Sequence, residues 1–259
     1  MRLHMSETIK IILCGCLGHM GRAVAAAAST DGRFEIMAGV DAREEPSCAF
    51  PVYTAFDRIP DQADVIIDFS HHTVLPSLCS YAVRTNTPAV ICTTGHTEEE
   101  ADLMKHTSQK VGIFFSRNMS VGINLLIRLV RQAARTLGEE YDIEIIEKHH
   151  NRKLDAPSGT ALMIADALSS EFEDGKEYVY DRQSVRKARD KREIGISSVR
   201  GGNIVGEHEV LFCGHNETIA VSHEAMSREV FADGALRAAA FMKDRKAGFY
   251  TMEDLLTCK

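Results

Sequence analysis

The chain has 259 residues, a formal charge of −7, 44% hydrophobic residues and 26% charged ones. That length carries one large or two modest domains with a real core. The acidic balance argues against a general nucleic-acid binder. No apolar run approaches the roughly 20 residues that a bilayer span needs, and the first ten residues lack a signal-peptide core. A soluble cytoplasmic protein that engages no membrane is expected.

Ile9 to Cys14 is a short apolar run with β-branched residues, and Arg22 to Ser29, mostly alanine, reads as a helix. Between them lies Gly15-Cys16-Leu17-Gly18-His19-Met20-Gly21. A strand, a tight glycine turn and a helix start form a phosphate-binding context. Glycine lets the backbone approach a pyrophosphate, and the free helix N–H groups meet its charge. Glu35 to Val40 reads as the second strand, ending at Asp41, which is 20 residues beyond Gly21. An acid there accepts bonds from adenosine ribose hydroxyls and repels a 2′-phosphate, so NADH is favoured over NADPH. Residues 48–60 hold two prolines, with Pro46 just before, and read as loop with at most a short strand.

Val65 to Phe69, Ala89 to Cys92 and Val111 to Phe115 read as buried strands, separated by helix-length segments at 74–84 and 98–108. Near-continuous apolar runs suit a parallel sheet covered on both faces, with binding groups beyond the strand ends. Thr93, Thr94 and Gly95 stand at one such end, and Ser116, Arg117, Asn118 and Met119 at another.

Residues 122–137 carry apolar side chains at helical spacing, and Tyr141 to Ile145 alternates as a strand that runs on toward His149. Residues 147–160 read Glu-Lys-His-His-Asn-Arg-Lys-Leu-Asp-Ala-Pro-Ser-Gly-Thr. A histidine delivers a proton near neutral pH. Lys153 offers positive charge to a carboxylate or a developing anion. Ser158 or Thr160 caps the helix that runs through Leu168 and presents its N–H groups to an anion. Residues 182–192 hold six Arg or Lys and read as an exposed loop or helix face. Strands follow at 193–199, 207–213 and 218–223, then a long alanine-rich helix at 227–242. The seven scattered cysteines suggest reduced, packed thiols rather than a disulfide framework. His208, His215, His223 and Cys213 lack a recognisable zinc spacing, so no metal is expected.

Taken together, the pattern is α/β. It has an N-terminal Rossmann-like dinucleotide-binding domain plus a C-terminal α+β domain with a mixed sheet. The helix at 227–242 either returns to the first domain as a crossover or lies across the domain junction. A reductase for a small carboxylated substrate fits these features. The alternatives are another dinucleotide-dependent dehydrogenase on this scaffold or a non-catalytic nucleotide sensor.

The block E-K-H-H-N-R-K-L-D-A-P-S-G-T-A at 147–161 resembles E-x-H-H-x-x-K-x-D-A-P-S-G-T-A of the 4-hydroxy-tetrahydrodipicolinate (dihydrodipicolinate) reductase family. S-V-R-G-G-N-I-V-G-E-H at 198–208, T-T-G at 93–95 and N-M-S-V-G at 118–122 also agree. The resemblance spans nearly the whole chain and implies reduction of a small dicarboxylate cyclic imine with NADH or NADPH, in the diaminopimelate route to lysine, by a homotetramer. It implies a dinucleotide-binding domain at 1–120, a substrate-binding and oligomerisation domain at 121–227, and a segment at 228–259 that returns to the first domain. It implies His149 and Lys153 as catalytic residues, and His150, Lys153, Gly159 and Thr160 as substrate contacts. Its implied cofactor contacts are Gly15, Cys16, Leu17, Gly18, His19, Met20, Asp41, Cys92, Thr93, Thr94, Ser116, Arg117, Asn118 and Met119. Asp41-Ala42 replaces the Glu-Arg of members that grip a 2′-phosphate, His19 stands where arginine is usual, and Arg117 where a small residue is common.

Overall fold

The computed structural model describes residues 8–59 and 63–258. Pro60, the end of the expected 48–60 loop, lies outside them, as do residues 1–7 and 259 of the expected domains. The chain forms two compact units. One comprises the described part of 1–121 together with 229–259, the other residues 122–228.

The first unit opens with β1 (Ile9–Cys14), α1 (His19–Thr30) and β2 (Phe34–Val40). Helix α1 starts three residues before the expected Arg22, so Gly21 lies inside it. A two-residue strand, β3 (Val52–Tyr53), pairs with the end of β2. Then come β4 (Val65–Asp68), α2 (Leu75–Thr85), β5 (Ala89–Ile91), α3 (Glu98–Ser108) and β6 (Gly112–Phe115).

The second unit contains α4 (Val121–Leu137), β7 (Asp142–His149), α5 (Gly159–Ser169), β8 (Glu177–Val179), β9 (Glu193–Arg200), β10 (Gly206–Cys213) and β11 (Thr218–Ala225). The chain then returns to the first unit with α6 (Glu229–Met242), β12 (Gly248–Tyr250) and α7 (Met252–Thr257).

The seven strands of the first sheet run β12-β6-β5-β4-β1-β2-β3, all neighbours parallel. Strand alternation divides its core. Ile9, Ile11 and Leu13 of β1 pack with Val24 of α1 and Ala235 of α6, while Ile12 and Cys14 pack with Leu78 of α2 and Met104 of α3. Covering both faces explains the near-continuous apolar strands. Strand β12 has no apolar run of its own; its three residues, Gly248, Phe249 and Tyr250, add to the β6 edge.

The second sheet runs β11-β10-β7-β9-β8 and is mixed, as the sequence implied: β10 is antiparallel to both neighbours, and β7, β9 and β8 are parallel. One face packs Ile143, Ile145, Ile194, Val210 and Phe212 with residues of α4 and α5. The basic stretch before β9 is neither a helix nor a free loop. Arg182 pairs with Glu144 at 2.6 Å and Glu193 at 2.7 Å. Arg189 reaches Asp142 and Glu144 and donates to the carbonyls of Ile143 and Glu193. Those basic side chains strap the segment to acidic strand positions.

Candidate active site

In the first unit the ends of β1, β2, β4, β5 and β6 bring the predicted cofactor residues together. Gly15 adopts φ +75°, and a Cβ there would lie 2.4 Å from the Phe69 carbonyl oxygen. A Cβ on Gly21 would lie 2.1 Å from the Gly15 carbonyl oxygen. The turn therefore closes only with bare backbone at both positions. Gly18 begins α1 without a side-chain cap, and the first helical turn carries no acid. The helix start is left as a positive, donor-rich end.

Asp41 accepts the N–H groups of Leu17 and Ala42, each at 2.8 Å. A cavity of about 940 Å³ opens beside the turn, lined by Gly15, Gly18, Asp41, Ala42, Tyr81 and Arg84 among others. The Arg84 guanidinium lies 5.2 Å from the Tyr81 ring centroid. These features fit an adenosine phosphate: an uncapped helix end for the charge, a carboxylate for hydroxyls and a roomy apolar wall.

The predicted residues at the other strand ends differ in what they present. Thr93 is buried and donates to the Ser70 carbonyl, whereas Thr94 is exposed. The Ser116 hydroxyl donates to the Asn118 carbonyl at 2.7 Å, and the Asn118 side chain accepts the Ser120 N–H. This local bonding shapes the 116–120 loop. Arg117 and His19 are exposed. Cys16, Cys92 and Met119 turn their side chains into the core, so only their backbone is free to serve a ligand. Burial, with Asp41 nearby, pushes the Cys16 thiol up to about 12, and burial also pushes up Cys14 and Cys92. These thiols are packed groups rather than nucleophiles.

In the second unit the 147–160 block folds from the end of β7 back to the start of α5. His149 is the last residue of β7, and its Nδ1 lies 2.6 Å from Glu147 Oε2. Glu147 is fully buried. Arg200, at the paired end of β9, donates to both its oxygens at 2.8 and 2.7 Å. The Ser158 backbone N–H donates to Glu147 Oε1 at 3.1 Å. Burial raises the Glu147 carboxyl, but hydrogen bonds from Arg200, Ser198 and His149 outweigh it and hold the group at about 2.

Ser158 caps α5 by accepting the Ala161 N–H, and its hydroxyl lies 3.0 Å from His208 Nε2. The ring of His208 meets that of His149 edge-on, with centroids 5.3 Å apart. Burial lowers His208 to about 3, which leaves it neutral. Lys153 lies 2.9 Å from Asp155, whose carboxyl this contact lowers. His150 Nε2 lies 3.4 Å from Arg228. Partial burial lowers His150, with Arg152, Arg228, His149 and Lys153 adding to the shift. Gly159 is exposed and Thr160 half-buried at the head of α5. The result is a histidine, a lysine and a helix N-terminus grouped around one buried carboxylate.

Four members of this cluster escaped the sequence reading. Glu147 opens the 147–161 block, but the pattern reads it as a strand residue and gives it no role. Arg200 and His208 sit in the 198–208 segment, but nothing in a linear pattern says that they meet Glu147 and Ser158. Arg228 has no local signal at all.

Family models described as "Dihydrodipicolinate reductase, N-terminus" and "Dihydrodipicolinate reductase, C-terminus" match residues 9–119 and 122–256. A 4-hydroxy-tetrahydrodipicolinate reductase of Caldanaerobacter subterraneus is 52% identical over 248 residues, covering 96% of this chain and 98% of that relative. One of Clostridium tetani is 45% identical, covering 96% and 97%. Among solved structures, a dipicolinate-bound dihydrodipicolinate reductase from Paenisporosarcina sp. TG-14 superposes with a TM-score of 0.79 at 23% identity, covering 95% of this chain and 98% of that one. A DAP dehydrogenase from C. glutamicum in complex with DAP gives 0.59 at 15% identity, covering 98% and 97%. These two likenesses concern the fold.

Proposed function

This chain belongs to the dihydrodipicolinate reductase family, and from that premise we propose that it reduces 4-hydroxy-tetrahydrodipicolinate to tetrahydrodipicolinate with NAD(P)H, in the diaminopimelate route to lysine. The observation that carries this reading is His149 at 2.6 Å from a buried carboxylate, beside the N-terminus of α5. Loss of the ring hydroxyl as water leaves a conjugated imine, which takes up one hydride and one proton. The bound dinucleotide supplies the hydride.

Gly15 to Met20 receive the pyrophosphate with backbone amides, and Asp41 accepts the adenosine ribose hydroxyls. Cys92, Thr93, Thr94 and Ser116 to Met119 flank the cofactor at the ends of β5 and β6. The N–H groups at Gly159 and Thr160 hold one substrate carboxylate, with Lys153 and His150 supplying positive charge. Arg228, beside His150, adds a second cation. His149 delivers the proton as negative charge develops on the ring.

In this reading NADH is preferred, because the Asp41 carboxylate opposes a 2′-phosphate and Ala42 brings no cation. The protein works as a cytoplasmic homotetramer. Exposed Val199, Ile219 and Met226 offer apolar surface to other copies, and buried thiols suit a reducing compartment. Among the described residues, no helix is long and apolar enough to cross a membrane.

The test follows the loss of NADH or NADPH absorbance with freshly generated 4-hydroxy-tetrahydrodipicolinate, the two cofactors side by side. Substrate-dependent oxidation, faster at low NADH than at low NADPH, is expected. No oxidation with either cofactor refutes the activity. Light scattering of the same sample checks the tetramer.

A further inference from the structure

We propose that Glu147 is a positioning residue that joins the proton donor to the carboxylate cradle: it fixes His149 with Nδ1 protonated, so that Nε2 is the nitrogen that releases the proton. This inference rests on the reading of His149 as the acid. It adds which nitrogen acts, what selects it and why a fully buried glutamate stands there.

Two Arg200 donors, at 2.8 and 2.7 Å, keep Glu147 ionised despite its complete burial. An ionised carboxylate only accepts hydrogen bonds. The 2.6 Å contact with His149 therefore requires hydrogen on Nδ1. In the neutral ring Nε2 then carries the lone pair, and in the charged ring it carries the proton to be given away.

The environment of Nε2 agrees. A Cβ on Gly206 would lie 3.1 Å from Nε2, so the bare glycine avoids crowding that nitrogen. The groups facing His149 are Glu147 on its own strand, Arg200 from β9, His208 from β10, and Lys153 and His150 from the following loop. His208 is neutral and puts no second positive charge against the imidazolium.

The same carboxylate reaches the cradle. Glu147 Oε1 accepts the Ser158 N–H, while Oε2 faces His149. Arg200 also donates to the Asp155 carbonyl at 2.6 Å, tying down the connecting loop. One buried ion pair thus sets the distance between the acid and the anion-binding helix start. Outer residues that orient a working imidazole act in the same way around metals.

Two measurements test this. The first is ¹⁵N NMR of the native protein at about pH 9, with His149 assigned from its loss in H149Q. A protonated Nδ1 and a bare Nε2 are expected; the opposite tautomer, or an even mixture, overturns the proposal. The second is the steady-state kinetics of E147Q, with kcat and KM measured separately. Its amide oxygen still accepts the Ser158 N–H, while its NH₂ group opposes a protonated Nδ1. We expect kcat to fall about 30-fold, within the range for removing an orienting partner, and KM to change less than about threefold.

An E147Q enzyme with native kcat refutes the assignment. If E147Q fails to fold, the native tautomer decides alone. H149Q separates the two levels. Unchanged turnover there removes the acid role itself, whereas lost turnover with the wrong native tautomer removes only the role of Glu147.

Discussion

The glycine turn after β1 and the carboxylate hub after β7 both join a strand end to a helix start, and they are built from opposite materials. The turn works by omission. Gly15 and Gly21 leave out side chains that would strike Phe69 and Gly15 carbonyls, and Gly18 leaves the α1 N–H groups uncapped. The hub works by accumulation. Glu147, Arg200, Ser158 and His208 fill a buried space with paired polar groups. A backbone turn tolerates variety at its exposed positions, because its shape depends on the residues it leaves bare. A buried ion pair holds one side chain in one orientation, which proton transfer requires.

The largest effect that would break this contrast is expected at the hub. Replacing His149 with glutamine should lower kcat about 10³-fold, the usual scale for removing a general acid. Dinucleotide affinity, set by the turn, should change less than about threefold. Fluorescence titration with NADH and stopped-flow turnover check the two halves. A comparable loss in both would mean that the regions do not divide the work.

Next comes Arg200→Met, which leaves the buried Glu147 without its counter-ion. A cost of about 3–5 kcal/mol in unfolding free energy is expected. The pH dependence has a definite sign. Glu147 sits at about 2 in the folded chain, against about 4.3 for a free glutamate. Its contribution is present above the unfolded value and is lost as pH falls from about 4.3 toward 2. In the variant that depression is gone, so the acid-unfolding midpoint should rise. Circular dichroism during an acid titration measures it; an unchanged midpoint would mean the ion pair contributes nothing to acid stability.

A smaller change is expected at the turn. Gly15→Ala places a Cβ 2.4 Å from the Phe69 carbonyl oxygen at φ +75°. Strain of about 1–3 kcal/mol must be relieved by moving the turn, and NADH affinity should fall about tenfold. The His149 tautomer should stay as in the native protein. A shifted imidazole spectrum would show that the turn and the hub are coupled.

The contrast also explains what the sequence revealed. The turn was legible because its parts are contiguous and their absences have a spacing. So was the 147–160 block, where His149, Lys153 and the α5 start follow one another within a few residues. Glu147 was hidden by its position in an alternating strand, where an inward carboxylate looks like an error in the pattern. Its partner Arg200 comes from β9, 53 residues away by numbering, and His208, which meets Ser158, comes from β10. The arginines at 182 and 189 read as solvated charge until Glu144 and Glu193 were seen beside them. Charge pairing across strands leaves no periodic trace, and β12 joins its sheet with only three residues.

The smallest effect concerns the acidic residue that ends β2. Asp41 accepts the Leu17 and Ala42 N–H groups, so truncating it would disturb the turn as well as the charge. Asp41→Asn keeps the shape and one acceptor oxygen while removing the negative charge. If that charge repels a 2′-phosphate, NADPH should gain on NADH. One unit charge about 4 Å away, at an effective dielectric between protein surface and water, is worth roughly 1 kcal/mol or somewhat more. The ratio of kcat/KM for NADPH over NADH should therefore rise about fivefold to tenfold, and less at high salt because the site opens to solvent. An unchanged ratio, with both affinities intact, would mean that cofactor choice is set elsewhere on the cavity wall. Arg84 is then the group to replace next, since its guanidinium lines the same cavity.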